Sequence, residues 1–132
     1  MSGRLSGRRL LVVGGGSRPN DDADAPLGNG RAIAVEAARE GAAVAVSDID
    51  RDAAEATAAL VRDADGRAHV LVSDAGDPAA CERAVADAAE ALGGLDALVL
   101  NVGIGKGLGL GGTTVDDWDD VMAVNLRAHF LS

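Results

Sequence analysis

Two hydrophobic patterns alternate along this chain. Short, nearly continuous apolar runs are typical of strands that are buried on both faces of a parallel sheet. Between them lie longer, alanine-rich stretches in which apolar residues recur at helical spacing. The pattern predicts strands at 9–13, 42–47, 68–72 and 96–100, and helices at about 29–40, 51–63, 78–92 and 115–131. This order, βαβαβαβα, favours an α/β fold in which helices cover a parallel sheet.

Local signals at the helix ends support these boundaries. Gly41 directly follows the first predicted helix and Gly93 follows the third, as is common where a helix ends. Pro78 opens the third helix, where its missing amide hydrogen removes no helical bond. Thr114 and Asp117 have the spacing of a capping pair at the start of the fourth helix.

The fourth predicted helix has no comparable signal at its end. Its apolar face continues through Phe130 and Leu131 to Ser132, so we expect the sequence to be cut within this element. In a right-handed, doubly wound sheet the strands take the order 3-2-1-4, and a fifth strand normally covers the outer edge of the fourth. No fifth strand is visible in the sequence. We therefore expect the isolated chain to be marginally stable and to aggregate in part.

Composition narrows the class of protein. The 132 residues form a single domain, 1–132, in which 48% are hydrophobic and only 2% aromatic, and this suits small side chains packed between helices and a sheet. A net charge of −9 disfavours a nucleic-acid partner, because phosphates require a basic surface. The single cysteine, Cys81, favours a cytoplasmic location. The first apolar run is too short for a signal peptide or a membrane span, so no membrane partner is expected.

The turn between the first strand and the first helix carries the sharpest chemical signal. Gly14-Gly15-Gly16-Ser17 follows the strand, and Gly28-Asn29-Gly30 opens the helix. Amide groups at a helix start can bind a pyrophosphate, which approaches them closely where glycine has no Cβ. An ordinary turn between a strand and a helix accounts for such a glycine cluster equally well.

Ten mostly polar residues, 18–27, separate the two glycine clusters. The aspartates of 20–24 could bind a divalent cation, but this run lacks the glycine and the terminal glutamate of a calcium loop. A solvated acidic flap is the preferred interpretation, and no metal site is expected elsewhere in the chain. Because carboxylates repel a pyrophosphate, we expect the flap to fold away from the phosphates.

A carboxylate stands at the end of the second strand. Asp48 can accept hydrogen bonds from both hydroxyls of an adenosine ribose, and it would repel a 2′-phosphate. The sequence therefore favours NAD over NADP. Arg18 and Arg51 are the nearby basic residues that could favour NADP instead, although Arg51 fits better as a solvated residue in the first turn of the second helix.

Taken in order, these segments resemble the short-chain dehydrogenase/reductase family. Gly14–Ser17 and Gly28–Ala34 are similar to its glycine motif, interrupted by the acidic flap and with Val13 where the family usually has a threonine. Asn101-Val102-Gly103 resembles the family's Asn-Ala-Gly segment after the fourth strand, with Leu100 in place of a first asparagine.

The resemblance implies a fold and further functional residues. The fold is a Rossmann-type doubly wound parallel sheet, truncated to βαβαβαβα. Asp74 matches the aspartate that touches the adenine ring, and Asn125 matches the asparagine of the catalytic tetrad, which kinks its helix and holds a proton-relay water. The implied NAD-binding residues are Gly14, Ser17, Gly28, Asn29, Gly30, Asp48, Ile49, Asp74, Ala75, Asn101, Val102 and Gly103. The full-length relative is implied to be a homodimer or homotetramer.

Three residues that the family's hydride transfer needs have no match in this sequence. A tyrosine exchanges a proton with the substrate oxygen, a lysine lowers the pKa of that tyrosine, and a serine orients the substrate. The sequence has no tyrosine, its only lysine, Lys106, comes too early, and Ser132 precedes the expected serine. We therefore predict the N-terminal fragment of an NAD-dependent oxidoreductase that transfers hydride between NAD and an alcohol or carbonyl substrate.

Two other functions compete with this prediction. A catalytically inactive nucleotide-binding or interaction protein would bind NAD without turnover and pair with another chain through its fourth strand. A receiver-like signalling domain would need an acidic pair where Gly14-Gly15-Gly16 stands. Four features are interpreted as structural: His69 and His129 lack metal-ligand spacing, Trp118 is expected to anchor the core, and 103–112 is expected to be a mobile loop beside the nicotinamide end.

Overall fold

A sheet of four parallel strands lies at the centre of the structure, which is a computed structural model describing residues 3–18, 22 and 24–132. In chain order the elements are β1 (Arg9–Val13), α1 (Asn29–Arg39), β2 (Ala43–Asp48), α2 (Arg51–Asp63), β3 (Arg67–Val72), α3 (Pro78–Leu92), β4 (Ala97–Leu100), α4 (Gly109–Gly112), α5 (Val115–Met122), a π-helical segment (Ala123–Arg127) and α6 (Ala128–Leu131). The strand order is β3-β2-β1-β4. The predicted Rossmann-type fold is confirmed, and the four strands and first three helices lie within one residue of their predicted bounds.

The register brings the carboxyl ends of the strands to one edge of the sheet. Val13 at the end of β1 pairs with Ser47 of β2 on one side and with Leu100 of β4 on the other. Asp48 pairs with Val72 at the end of β3. The loops that follow these strands therefore meet along one line, in the order of the strands.

Alternate residues of β1 face two separate core layers, because successive side chains of a strand point to opposite faces. Leu10 and Val12 pack with α1 and α2, whereas Leu11 and Val13 pack with α3. Leu11 and Val12 are completely buried. The central strand thus carries almost no polar surface, which explains the continuous apolar run in the sequence.

The predicted helix ends are confirmed. Gly41 and Gly93 adopt positive φ angles of 94° and 78° after α1 and α3, a conformation that glycine adopts without strain. Thr114 and Asp117 form a complete capping box at the start of α5. The Asp117 carboxylate accepts a hydrogen bond from the Thr114 amide, and this bond lowers the pKa of the carboxyl group. A cap that was not predicted, Asp50, accepts hydrogen bonds from two amides at the start of α2.

The predicted helix 115–131 is not one regular α-helix. Its middle, Ala123–Arg127, is π-helical, so α5 and α6 are separated by a wider turn. The preceding segment, predicted as a loop over 103–112, contains a short helical turn at Gly109–Gly112. π-helical turns interrupt the regular ladder locally and commonly mark functional positions.

The prediction that Trp118 anchors the core is wrong, because its surface is 58% exposed. Val115 in the same helix, Leu126 in the π-helical segment and Phe130 in α6 are also exposed. Burial of a side chain requires a surface that covers it, and local sequence does not reveal such a surface. Across the described part of the chain, no helix combines the length and the apolar character that crossing a membrane requires.

Candidate cofactor-binding site

A cleft of about 390 Å³ runs along the carboxyl edge of the sheet. Its walls come from the loops after β1, β2 and β4 and from the start of α1. The lining residues are Gly14, Gly16, Ser17, Arg18, Gly28, Asn29, Asp48, Ile49, Asp50, Ala53, Asn101, Val102, Gly103 and Ile104. Nine of the twelve predicted cofactor-binding residues therefore share one cleft, namely Gly14, Ser17, Gly28, Asn29, Asp48, Ile49, Asn101, Val102 and Gly103.

Gly14 forms the floor of this cleft. Its φ angle is +78°, and a Cβ atom there would lie 2.8 Å from the amide nitrogen of Val102. The Gly14 amide donates to the Ser47 carbonyl at 2.8 Å. The Gly14 carbonyl accepts a 3.0 Å hydrogen bond from Nδ2 of Asn101. Backbone conformation and close approach both require glycine at this position, and Asn101 ties the first loop to the strand beside it.

Gly30 lies beneath the cleft and brings the start of α1 against the loop. It is buried, and a Cβ atom there would lie only 2.0 Å from the Gly14 carbonyl oxygen. The first ladder bond of α1 runs from the Ala32 amide to the Gly28 carbonyl at 2.9 Å, so the amides before Ala32 have no partner within the helix. Those amides, together with the positive end of the helix dipole, favour an anion beside the glycine loop.

The Asp48 carboxylate is held in place by two backbone amides. Oδ2 accepts a 2.9 Å hydrogen bond from Gly16, and Oδ1 accepts a 3.0 Å hydrogen bond from Asp50. Each carboxylate oxygen can accept more than one hydrogen bond, so both oxygens retain capacity for a pair of ligand hydroxyls. A Cβ atom on Gly16 would lie 2.7 Å from Oδ2 of Asp48, which shows how tightly the carboxylate and the loop are packed.

A narrower, mainly apolar slot of about 100 Å³ adjoins the cleft. Ile49 and Ala75 line it, with Val124 from the π-helical segment and Asp74 beside them. One carboxylate oxygen of Asp74 accepts a 2.8 Å hydrogen bond from the Gly76 amide. A mainly apolar slot with a few polar side chains suits a flat, aromatic ring with polar atoms at its edge. Asp74 and Ala75, which the cleft does not include, therefore belong to the same extended site.

Asn125 lies beneath the cleft rather than in it. Its Nδ2 donates to the Ile104 carbonyl and its Oδ1 accepts from the Ile104 amide, both at 2.8 Å. A Cβ atom on Gly103 would lie 3.6 Å from Oδ1 of Asn125. The Asn125 side chain thus joins the π-helical segment to the loop after β4. Its amide group pairs with the N–H and C=O of Ile104, as the backbone of a neighbouring strand would. The partner, Ile104, was not predicted, although it directly follows the predicted segment 101–103.

Replacing Asn125 with alanine is expected to lower the free energy of unfolding by about 1–2 kcal/mol, because both polar groups of Ile104 lose a part-buried partner. Urea unfolding followed by circular dichroism measures this change. Leu126→Ala is the matched control, since Leu126 is the neighbouring residue and is 63% exposed. Equal stability of the two variants would contradict the anchoring role.

Other polar contacts join the surrounding elements to this edge. Lys106 Nζ lies 2.5 Å from Oδ2 of Asp120, and this hydrogen bond raises the pKa of Lys106. His129 Nε2 lies 3.2 Å from the Val102 carbonyl oxygen. Cys81 is buried, and desolvation raises the pKa of its thiol. None of these four side chains lines the cleft.

The acidic flap is only partly described. Residues 19–21 and 23 lie outside the described residues. The prediction that the flap folds away from the phosphates depends on them and stays a prediction. Of the remainder, Arg18 lines the cleft, and 25–27 lie beside the first turn of α2. Among the described residues, no group of three or more potential metal ligands is clustered.

Known proteins are similar to this chain in sequence and fold. A family model described as short chain dehydrogenase matches residues 25–132. The short-chain dehydrogenase/reductase eriH of Hericium erinaceus is 48% identical over 50 residues, which cover 38% of this chain and 20% of that protein. Only a short segment is aligned there.

Solved structures match over nearly the whole chain. A dehydrogenase/reductase from Sinorhizobium meliloti 1021 is 41% identical with a TM-score of 0.85, over 96% of this chain and 47% of that one. A short chain dehydrogenase from Burkholderia cenocepacia J2315, in complex with NADP, is 39% identical with a TM-score of 0.86, over 97% of this chain and 49% of that one. The chain spans about half the length of these structures.

Proposed function

Because the chain belongs to the short-chain dehydrogenase family, we propose that it is the NAD-binding part of an oxidoreductase that transfers hydride between NAD and an alcohol or carbonyl substrate. The observation that carries this proposal is the placement of the Asp48 carboxylate, on two backbone amides, between the apolar slot and the start of α1. The proposal for hydride transfer concerns a longer protein, since the chain spans about half the length of its solved relatives.

The strand order supports one orientation of the dinucleotide. Along the edge from β3 to β4, the slot at Asp74 and Ala75 would hold the adenine ring, and Asp48 would bind the hydroxyls of its ribose. The pyrophosphate would lie against the glycine loop and the amides of Asn29 and Gly30 at the start of α1. The nicotinamide would then lie beside the loop after β4, which comprises 101–104. Bound NAD supplies the hydride-accepting ring, and the residues of this chain orient it.

The glycine positions fit such a group closely. A single Cβ atom on Gly14, Gly16 or Gly30 would meet other atoms at 2.8 Å or less, so the backbone forms a cradle whose shape depends on the absence of side chains. Asn125 would act through Ile104 to hold the nicotinamide side of the cradle. The proton-relay role that the resemblance implies for Asn125 is proposed for the longer protein.

Charge favours NAD over NADP in this proposal. A 2′-phosphate on the adenosine ribose would lie beside the Asp48 carboxylate, and like charges at short distance repel strongly. The Arg31 guanidinium is held by Thr57 and by the Ala53 carbonyl, and Arg31 does not line the cleft. Arg18 lines the cleft and is the basic residue that would favour NADP if it turned toward the ribose.

The assembly is proposed from the family resemblance, and the cellular location from the composition. The longer protein is proposed to be a cytoplasmic homodimer or homotetramer. Its net charge in this part, −9, disfavours a nucleic-acid partner.

Calorimetric titration of the chain with NAD, and separately with NADP, tests the proposal. We expect NAD to bind at least about tenfold more tightly, corresponding to about 1.4 kcal/mol. Tighter binding of NADP would overturn the assignment of Asp48 as the selective group. Binding of neither dinucleotide would overturn the cofactor-binding function itself.

A further inference from the structure

Every backbone polar group from the Gly14 amide to the Gly16 amide has a hydrogen-bond partner within the protein. The amides of Gly14 and Gly15 both donate to the Ser47 carbonyl, at 2.8 and 3.0 Å. The Gly14 carbonyl accepts from Asn101, and the Gly16 amide donates to Asp48. The remaining group, the carbonyl of Gly15, is bound by a side chain from α2.

That side chain is Thr57, which is completely buried. Its hydroxyl donates to the Gly15 carbonyl at 2.8 Å and lies 3.2 Å from the Ala53 carbonyl in its own helix. Since a hydroxyl has one proton, the shorter contact to Gly15 is the better donor geometry. The contact joins residues 42 positions apart in the chain.

Arg31 of α1 orients this hydroxyl. Its Nε donates to Oγ1 of Thr57 at 2.9 Å, and its Nη2 donates to the Ala53 carbonyl at 3.2 Å. With the Thr57 oxygen accepting from a charged donor, its proton is directed toward Gly15, and bonds in such a chain strengthen one another. The Arg31 guanidinium is therefore fixed between α1 and α2.

We propose that Thr57, oriented by Arg31, is a positioning residue for the dinucleotide, because it fixes the Gly15 carbonyl and so holds the glycine loop in its binding conformation. This inference rests on the proposed function. In the sequence, the ten residues 18–27 lengthen the connection between this loop and α1, and a longer connection costs more entropy to close. With its polar groups paired as far as Gly16, the loop keeps its shape independently of that segment.

Helix packing alone does not require this arrangement. A threonine within a helix can satisfy its hydroxyl on the carbonyl four residues earlier, which here is Ala53. Valine at position 57 would preserve the shape of the side chain, but it would leave the Gly15 carbonyl and Nε of Arg31 without this partner. A loop that must be ordered again during binding has a correspondingly weaker apparent affinity.

The test compares Thr57→Val with Thr57→Ser, which retains the hydroxyl, and with Val61→Ala, a core substitution in the same helix where Val61 is completely buried. Two quantities are measured for each protein: the dissociation constant for NAD by calorimetry, and hydrogen exchange of the Gly15 and Gly16 amides by nuclear magnetic resonance. The exchange measurement needs no ligand.

We expect Thr57→Val to weaken NAD binding about tenfold and to accelerate exchange of both amides by a similar factor. Thr57→Ser should keep both quantities within about twofold, and Val61→Ala should lower the melting temperature while leaving NAD affinity and relative loop protection unchanged. Thr57→Val behaving like Val61→Ala would overturn the proposal. If the unmodified chain binds no dinucleotide, the proposed function fails, whereas unchanged amide exchange in Thr57→Val would refute the anchoring by itself.

Discussion

Gly30→Ala is expected to destabilise the protein by about 3 kcal/mol or more and to abolish dinucleotide binding. The added Cβ would lie 2.0 Å from the Gly14 carbonyl oxygen and 2.8 Å from Nδ2 of Asn101. The first of these atoms belongs to the backbone, so α1 and the glycine loop after β1 would have to move apart. Overpacking in a close-packed interior typically costs 1–3 kcal/mol, and a collision with a fixed carbonyl belongs at or above the upper end of that range.

Such a loss is large against the roughly 5–15 kcal/mol by which domains are usually stable. Urea unfolding measures it, and calorimetry measures the loss of NAD binding. Gly111→Ala is the matched control, because a Cβ there would meet no atom within 4 Å and the residue has no positive φ angle. We expect that control to stay within about 0.5 kcal/mol of the unmodified chain. A Gly30→Ala protein as stable as the control would refute the close contact of α1 with the glycine loop.

Asp48→Asn is expected to reverse or remove the proposed preference for NAD. The substitution removes the negative charge and one of the two acceptor oxygens that Gly16 and Asp50 hold in place. Hydrogen bonds to charged groups contribute about 1.5–3 kcal/mol, so NAD affinity should fall about 10- to 100-fold. NADP affinity should fall less or rise, because the repulsion of its 2′-phosphate disappears.

The informative quantity is the ratio of the two dissociation constants, since a general loss of structure would affect both cofactors alike. Asp63→Asn serves as the control with the same change of charge, because Asp63 is exposed at the end of α2. Its ratio should match that of the unmodified chain. An Asp48→Asn protein that keeps the original ratio would show that a group other than Asp48 determines the selectivity.

The two predictions address different parts of the same site. Gly30 determines whether the first helix can approach the loop, which is a matter of volume. Asp48 determines which ribose the cleft accepts, which is a matter of charge and of free acceptor sites. Thr57 acts between them, through the carbonyl of Gly15. Measured together, the variants separate the shape of the cradle from its selectivity.

The sequence alone determined the order of the strands and helices, most of their ends and most of the residues that line the cleft. These features depend on local physics. The continuous apolar run of β1 follows from burial on both faces, and the caps at Gly41, Gly93 and Thr114 follow from backbone geometry within a few residues. Similarity to a known family added the binding residues after the later strands, Asp74 and the segment 101–103, together with Asn125, because local patterns leave these residues ambiguous.

Only the tertiary structure decided which atoms meet across the fold. The two amides that hold Asp48, the contact of Gly30 with Gly14, and the hydroxyl of Thr57 on Gly15 each join different elements of the chain. Periodicity shows which face of a helix is apolar, but it does not show which surface covers that face, and so Trp118 was wrongly assigned to the core. A side chain's role here is determined by its neighbours in space, and those are determined by how the helices pack on the sheet.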